Sequence, residues 1–235
     1  MSKRDATVAI EGKVPKRPQR RTQRERSETT KKQILEAAAT VLREHGYAGF
    51  RTEVVAQETG LSRGAMLHHF PRKNDLLIAT HKELYNRALE ESLRVMKKNA
   101  KANDVDAMIA DGEAFFLGGH FFSVLDVVLS ASTNPDLRDE ILNISRNARL
   151  PIEQAWRERL SASVPQALAD DIVFMTFNMI RGYAMRTLWD EDSERYKRMV
   201  SMWKQMVELL CAQYGANTGV SMRQLTGVNA RRNIG

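Results

Sequence analysis

Arg63, Gly64, Ala65, His68 and His69 fall within seven residues and, at helical spacing, turn to the outside of one short helix. A guanidinium in such a place can pair with a guanine edge, imidazoles can donate to bases or phosphates, and two small residues let a backbone approach a groove. The chemistry these side chains suit is recognition of duplex DNA, which requires no catalytic group.

Residues 52–70 supply the elements that would position them, as two short helical patterns around a Gly60-Leu61-Ser62 turn. Thr52 is placed to cap the first helix, with Val55 and Ala56 on its inner face, and Gly60 supplies the positive φ that stops it. Ser62 is placed to cap the second helix, 63–69, whose Met66, with Leu61 and Phe70 at its two ends, turns inward. Two helices joined by a tight glycine turn make a helix-turn-helix, whose second member is short enough to lie in a major groove. The same pattern also suits a plain helical hairpin in an all-α protein.

Neighbouring residues favour the first reading. Ile34, Leu35, Ala37, Ala38 and Leu42 are followed by Gly46, Tyr47 and Phe50, then by Thr52, Val55 and Ala56. Gly60, Leu61, Ser62, Gly64, His69 and Phe70 continue the series, and Lys73, Leu76 and Leu77 close it. This ordered set resembles the DNA-binding domain of the tetracycline-repressor (TetR) family of transcription regulators. The resemblance implies a DNA-facing set of Arg51, Thr52, Ser62, Arg63, Gly64, Ala65, Leu67, His68, His69 and Lys73. Two residues depart from the family's pattern. Leu67 stands where the family usually has an aromatic phosphate-contacting residue, and Glu53 would repel phosphates unless Arg51 or Lys73 neutralises it.

Composition fits an ordinary globular chain of 235 residues, 43% hydrophobic and 28% charged. The single cysteine, Cys211, excludes an intramolecular disulfide and a cysteine-rich metal site, as suits a reducing compartment. The longest uncharged run, 114–125, is too short to span a bilayer, and the charged N-terminus has no signal-like apolar stretch, so the expected location is cytoplasmic. The five histidines show no metal-ligand spacing, and no nucleophile elbow, phosphate-cradling glycine loop or HExxH motif is present, so neither an enzyme nor a cofactor is expected.

Charge is unevenly spread. Residues 1–26 hold nine Lys or Arg against three acidic residues, which accounts for +6 of the net +7. With few apolar residues this segment reads as a disordered basic arm, whose Arg20, Arg21, Arg24 and Arg26 would follow phosphates or enter a minor groove. A sequence-nonspecific architectural DNA binder would use the same arm, although that alternative leaves the rest of the chain without a purpose.

In chain order, 27–45 reads as a helix with Thr30 and Gln33 as a capping box, and 27–72 forms the helix-turn-helix domain. A long helix then runs over about 73–100 within a connecting segment, 73–103, that can act as a lever. Helices at 105–117, 120–132, 136–161 (bent at Pro151), 166–190 and 193–214 fill a second all-α domain, 104–214, before a flexible tail, 215–235. The expected fold is therefore all-α, a three-helix DNA-binding head followed by a larger helical domain.

In the family resembled, that second domain binds a small effector and dimerises, and effector binding releases a repressor from a palindromic operator. Phe116, Phe121, Trp156, Phe174, Phe177 and Tyr183 are candidate linings of a mostly apolar pocket, with His120, Asp126 and Asn178 as polar groups that interrupt apolar runs. The implied effector is a small apolar or amphipathic molecule. Tyr196, Val200, Trp203, Val207 and Leu210 recur at steps of three and four, a seam suited to a partner helix, and Gly182 permits close approach. A homodimer is expected to form there.

Overall fold

The computed structural model describes residues 22–98 and 104–215, and every element among them is a helix. The stretch 1–21, which contains Arg20 and Arg21, lies outside the described residues, as do 99–103 and the tail from 216 onward.

The first helix, α1 (Gln23–Gly49), begins four residues before the predicted start, within what the charge pattern assigns to the arm. Thr22 accepts from the Glu25 N–H at 3.2 Å, and Glu25 reaches back to the Thr22 N–H at 2.7 Å, so the capping box is Thr22–Glu25. Thr30 instead donates back to the Arg26 carbonyl, in mid-helix. Arg24 and Arg26 are accordingly helical and exposed. Because an N-cap threonine contributes about 1 kcal/mol, Thr22→Ala is expected to lower the melting temperature by a few degrees, readable by circular dichroism.

Gly46 breaks the regularity of α1 with φ +61° and ψ −176°, and a short helical segment carries the chain on to Phe50. The helix-turn-helix follows as α2 (Thr52–Thr59) and α3 (Arg63–His69), with Gly60 at φ +68° ending α2. The N-cap of α2 is Arg51, without a side-chain cap bond. Thr52 does not cap: it is already the first helical residue and donates its hydroxyl to Glu53. Ser62 caps α3 as expected, accepting from the Ala65 N–H at 3.2 Å.

Six helices complete the fold: α4 (Lys73–Lys98), α5 (Asp104–Phe116), α6 (Phe121–Ser132), α7 (Pro135–Leu160), α8 (Gln166–Arg186) and α9 (Ser193–Gly215). Asn134 caps α7 and Pro135 opens it, where the missing N–H costs nothing. The helix continues past Pro151 to Leu160.

Burial divides the molecule differently from chain order. One apolar cluster holds Ile34, Leu42, Phe50, Val55, Met66, Phe70, Leu77 and Leu84, and continues without a break into Val124, Val127 and Ala131 of α6 and Leu137 and Ile141 of α7. The other joins Met108, Phe116, Trp156, Phe177, Trp203 and Val207 from α5, α7, α8 and α9. The head therefore completes its core with helices from the second half of the chain. No single helix among the described residues is long and apolar enough to cross a membrane.

Candidate nucleic-acid interface and effector cavity

The outer face of α3 carries Arg63, Gly64, Leu67 and His68, all exposed, with Ala65 and His69 half-buried beside them. A side chain at Gly64 would meet nothing within 4 Å, so this face is open to a groove. Arg63, 74% exposed, is paired with Glu53 at 3.6 Å. The charge beside Glu53 is thus Arg63 of α3, while Lys73 is drawn over the Tyr47 ring at 4.9 Å from its centroid. Burial and then neighbouring Arg51 lower the Lys73 pKa. Glu53 is held below its ordinary pKa first by its own backbone N–H at the helix start, then by Thr52, Arg63 and Arg51.

An ion pair this exposed is weak and screened by solvent, so a phosphate can take Arg63 from Glu53 readily. Glu53→Gln is expected to tighten duplex binding by roughly twofold to fivefold, because it frees the guanidinium and removes a charge facing the phosphates. Fluorescence anisotropy on a labelled duplex reads this; weaker binding would show that Glu53 instead aims the arginine.

Behind the head, Asp126 on α6 accepts the Tyr47 backbone N–H through Oδ2 at 2.6 Å. A Cβ at Gly46 would lie 2.9 Å from that oxygen. Glycine at this kink is thereby required twice, for its positive φ and for the carboxylate's approach. Asp126 is consequently not a cavity residue: it lies 79 positions from its partner and ties α6 to the end of α1.

Two adjoining cavities open next to that tie. One, of about 410 Å³, is bounded by α4 and the α5–α6 corner and lined by Leu84, Arg87, Phe115, His120 and Phe121. Burial, and then Arg87 and Arg43, lower the His120 pKa. The second, of about 340 Å³, shares Phe115, Phe121 and Val124 and adds Tyr85, Phe116, Ser145, Arg149 and Arg181. His81, one turn from Tyr85 on α4, sits 3.2 Å from the Ser145 hydroxyl, and burial pushes its pKa down to about 4, leaving it neutral.

Of the predicted linings, Phe116, His120 and Phe121 come together at these cavities, and Phe177 lies beneath the Arg149 guanidinium at 4.2 Å. Trp156 is core, donating its indole N–H to buried Asp111 at 2.9 Å. Phe174 is 65% exposed, although its neighbours Val173 and Phe177 on α8 are buried. Asn178 bonds the Phe174 carbonyl and the Arg181 guanidinium, and Tyr183 stacks on Tyr196 at 4.0 Å; both line a separate cavity of about 340 Å³ between α8 and α9, and Tyr183 with Phe116 borders another of about 550 Å³. Sequence reading missed Tyr85, Ser145, Arg149 and Arg181. Arg149 had a signal: it falls on the stripe Leu137, Ile141, Ile152, Trp156, where an arginine must be buried.

The α9 seam also faces inward. Tyr196, Val200, Trp203 and Val207 are buried within the chain, and Leu210 packs against them. Trp203 donates to the Thr176 hydroxyl at 2.8 Å and Tyr196 to Glu113 at 2.9 Å. The α5 and α8 helices already supply the partner that the periodicity asks for. Apolar side chains instead remain exposed elsewhere on these helices, at Phe174 and Met175 on α8 and at Met202, Met206 and Leu209 on α9. Gly182 is exposed, with open space around it.

Comparison with known proteins agrees with this geometry. Residues 34–80 match the family described as bacterial regulatory proteins, tetR family. The chain is 40% identical over 184 residues to the HTH-type transcriptional regulator CymR of Pseudomonas putida, covering 77% of this chain and 91% of that protein. A transcriptional regulator from Rhodococcus sp. Rha1 shares the fold with a TM-score of 0.63 and 17% identity, over 79% of this chain and 98% of that one. Another, from Saccharomonospora viridis in complex with choline, does so with a TM-score of 0.61 and 19% identity, over 77% and 96%. With its helix-turn-helix, its all-helical body and a relative matched over nearly its full length, the chain belongs to the tetR family of bacterial regulatory proteins.

Proposed function

We propose that this protein is a dimeric, ligand-responsive repressor that binds a palindromic operator in the cytoplasm and leaves it when a small effector enters the cavities beside α4. It acts by binding alone, without a catalytic step. The division of labour is a basic arm (1–26, with the first turn of α1 inside it), a DNA-reading head (27–72), a connecting helix segment (73–103), an effector and dimerisation body (104–214) and a tail (215–235).

The observation that carries this reading is the sharing of side chains between head and cavity. Leu84, Tyr85 and Val124 line the cavities and also belong to the apolar cluster that holds the head together. Two residues beyond Val124, Asp126 grips the Tyr47 backbone. An occupant that moves α6 or α4 must therefore repack the head, because close-packed cores shift between discrete arrangements. Hundredfold release needs the effector to prefer the released state by only about 2.7 kcal/mol.

The exposed apolar side chains of α8 and α9 support dimerisation, since a lone chain seldom leaves so many uncovered. Pairing there forms a four-helix bundle that sets two α3 helices about 34 Å apart, one turn of DNA. Arg63, Gly64 and His68 then read base edges while Arg51, Ser62 and Leu67 lie at the backbone.

Selection of bound sequences from a random duplex library at physiological salt tests the reading. The expected product is an inverted repeat with half-site centres one or more helical turns apart. Enrichment without a motif would replace it with the architectural alternative, and no enrichment would refute DNA recognition.

A further inference from the structure

Arg63 and Glu53 bring opposite charges to one edge of the head from two different helices. Arg63 is the first residue of α3 and Glu53 the second of α2, yet the guanidinium and the carboxylate Oε1 lie 3.6 Å apart. At that distance no normal hydrogen bond closes the pair, and both side chains are exposed. The other carboxylate oxygen, Oε2, accepts from the Thr52 hydroxyl at 3.3 Å. The Glu53 N–H at the helix start holds the group below its ordinary pKa, so at neutral pH it accepts hydrogen bonds and donates none. Gly64, next to Arg63 and with open space around it, leaves this edge clear for a groove.

From this geometry we infer that Glu53 determines specificity by reading a base itself: Arg63 takes a guanine, and Glu53 takes the exocyclic amine of a cytosine in the neighbouring base pair. A phosphate offers a carboxylate no donor, so its favourable partners in the major groove are the amines of cytosine and adenine. Adenine sets its N7 acceptor beside that amine, and guanine and thymine present acceptors and no donor there. Cytosine alone presents an amine without a neighbouring acceptor, so the order of preference is cytosine, then adenine, then the other two. Guanine O6 and N7 in turn match the planar fork of Arg63. Successive base pairs stack about 3.4 Å apart, close to the 3.6 Å between the two charged groups, so one approach of the head serves both bases. The arrangement also accounts for a carboxylate on a face that meets DNA. Away from the operator it repels phosphates and holds Arg63, and on the operator both charges find base edges, which sharpens discrimination at the expense of non-specific affinity.

This inference rests on the operator reading above, and one selection experiment separates their failures. Bound sequences are recovered from a random duplex library for the full-length wild type and for Arg63→Ala, Glu53→Gln and Glu53→Ala. The wild type is expected to select two adjacent G·C pairs of fixed orientation in each half-site, and Arg63→Ala should relax the first of them. Glu53→Gln should replace cytosine by adenine at the second, because a glutamine amide matches adenine N6 and N7, and Glu53→Ala should leave that position without a preference. Competition anisotropy on the selected duplex and its cytosine-to-adenine version should show the wild type favouring cytosine by about tenfold, with the order reversed in Glu53→Gln. The tightening expected of Glu53→Gln should fall on duplexes that lack the cytosine. A wild-type motif without the two adjacent pairs overturns the inference. So does a motif that both Glu53 variants leave unchanged, or change only at the Arg63 guanine; Glu53 then acts on Arg63 alone, and the operator reading stands. A wild type that selects no motif refutes the operator reading and the inference with it.

Discussion

Glutamate at both Phe174 and Leu209 is expected to give a folded monomer that has lost its hold on a two-half-site operator. Both side chains are largely exposed, at 65% and 71%, so neither supports the chain's own core and the substitutions should cost little in melting temperature. In a dimer the same positions would be covered, and a buried, unpaired carboxylate there is strongly unfavourable. The DNA consequence is larger than the interface effect alone. Once one head is bound, the second binds at an effective local concentration, and losing that linkage is worth about 10² to 10⁴ in affinity. Sedimentation velocity and operator anisotropy on the same preparation read both effects. A double variant that stays dimeric would place the interface elsewhere. The inward-facing alternative is tested by Trp203→Ala, which should instead destabilise the monomer itself by about 3 to 5 kcal/mol, since Trp203 packs in the core and bonds Thr176.

Removing the Asp126 carboxylate should produce the second large effect. A hydrogen bond to a charged acceptor contributes about 1.5 to 3 kcal/mol, and Asp126→Ala also leaves the Tyr47 N–H unsatisfied at a kink fixed by Gly46. Denaturant unfolding is expected to register that loss. Asp126→Asn, which keeps an accepting oxygen but not the charge, should recover roughly half of it. Hydrogen exchange at Tyr47 should accelerate in the alanine variant well beyond the change at Met108, which lies in the other apolar cluster. Uniform acceleration at both sites would mean that the tie is only one stabilising bond among many. Selective acceleration would identify it as the local joint between body and head.

Gly60, Ser62, Met66 and Phe70 specify α2, the turn and α3 because each acts through the backbone within a few residues, by φ, by cap or by an inward face. The long helices were legible for the same reason: Gly118-Gly119, Asn134-Pro135 and Pro165 interrupt the helical pattern, and they fall between α5 and α6, α6 and α7, and α7 and α8. Thr22 and Glu25 carried an equally local signal that a charge-based boundary at residue 26 obscured. Thr52 lost its capping role because the helix starts one residue earlier than the cap pattern implies.

The misplaced residues share a different cause. Periodicity shows that Tyr196, Val200, Trp203 and Val207 form one face, but not which neighbour covers it, and α5 and α8 of the same chain do so. Phe174 and Phe177 look alike in an all-apolar run, yet Phe174 is exposed and Phe177 buried, because the edge of the covered face of α8 falls between them. Asp126 reads as a polar interruption beside a pocket, whereas its partner is a backbone N–H 79 residues away. The sequence by itself determined the all-α class, the helix-turn-helix and which side chains lie on the outer face of α3, since short-range backbone preferences and an ordered local motif define these. Only the tertiary structure decided which apolar faces meet, that the head borrows α6 and α7 for its core, and that Arg149 stands buried without a hydrogen-bond partner beside a cavity. Those outcomes depend on contacts between segments far apart in the chain, which spacing along it does not encode.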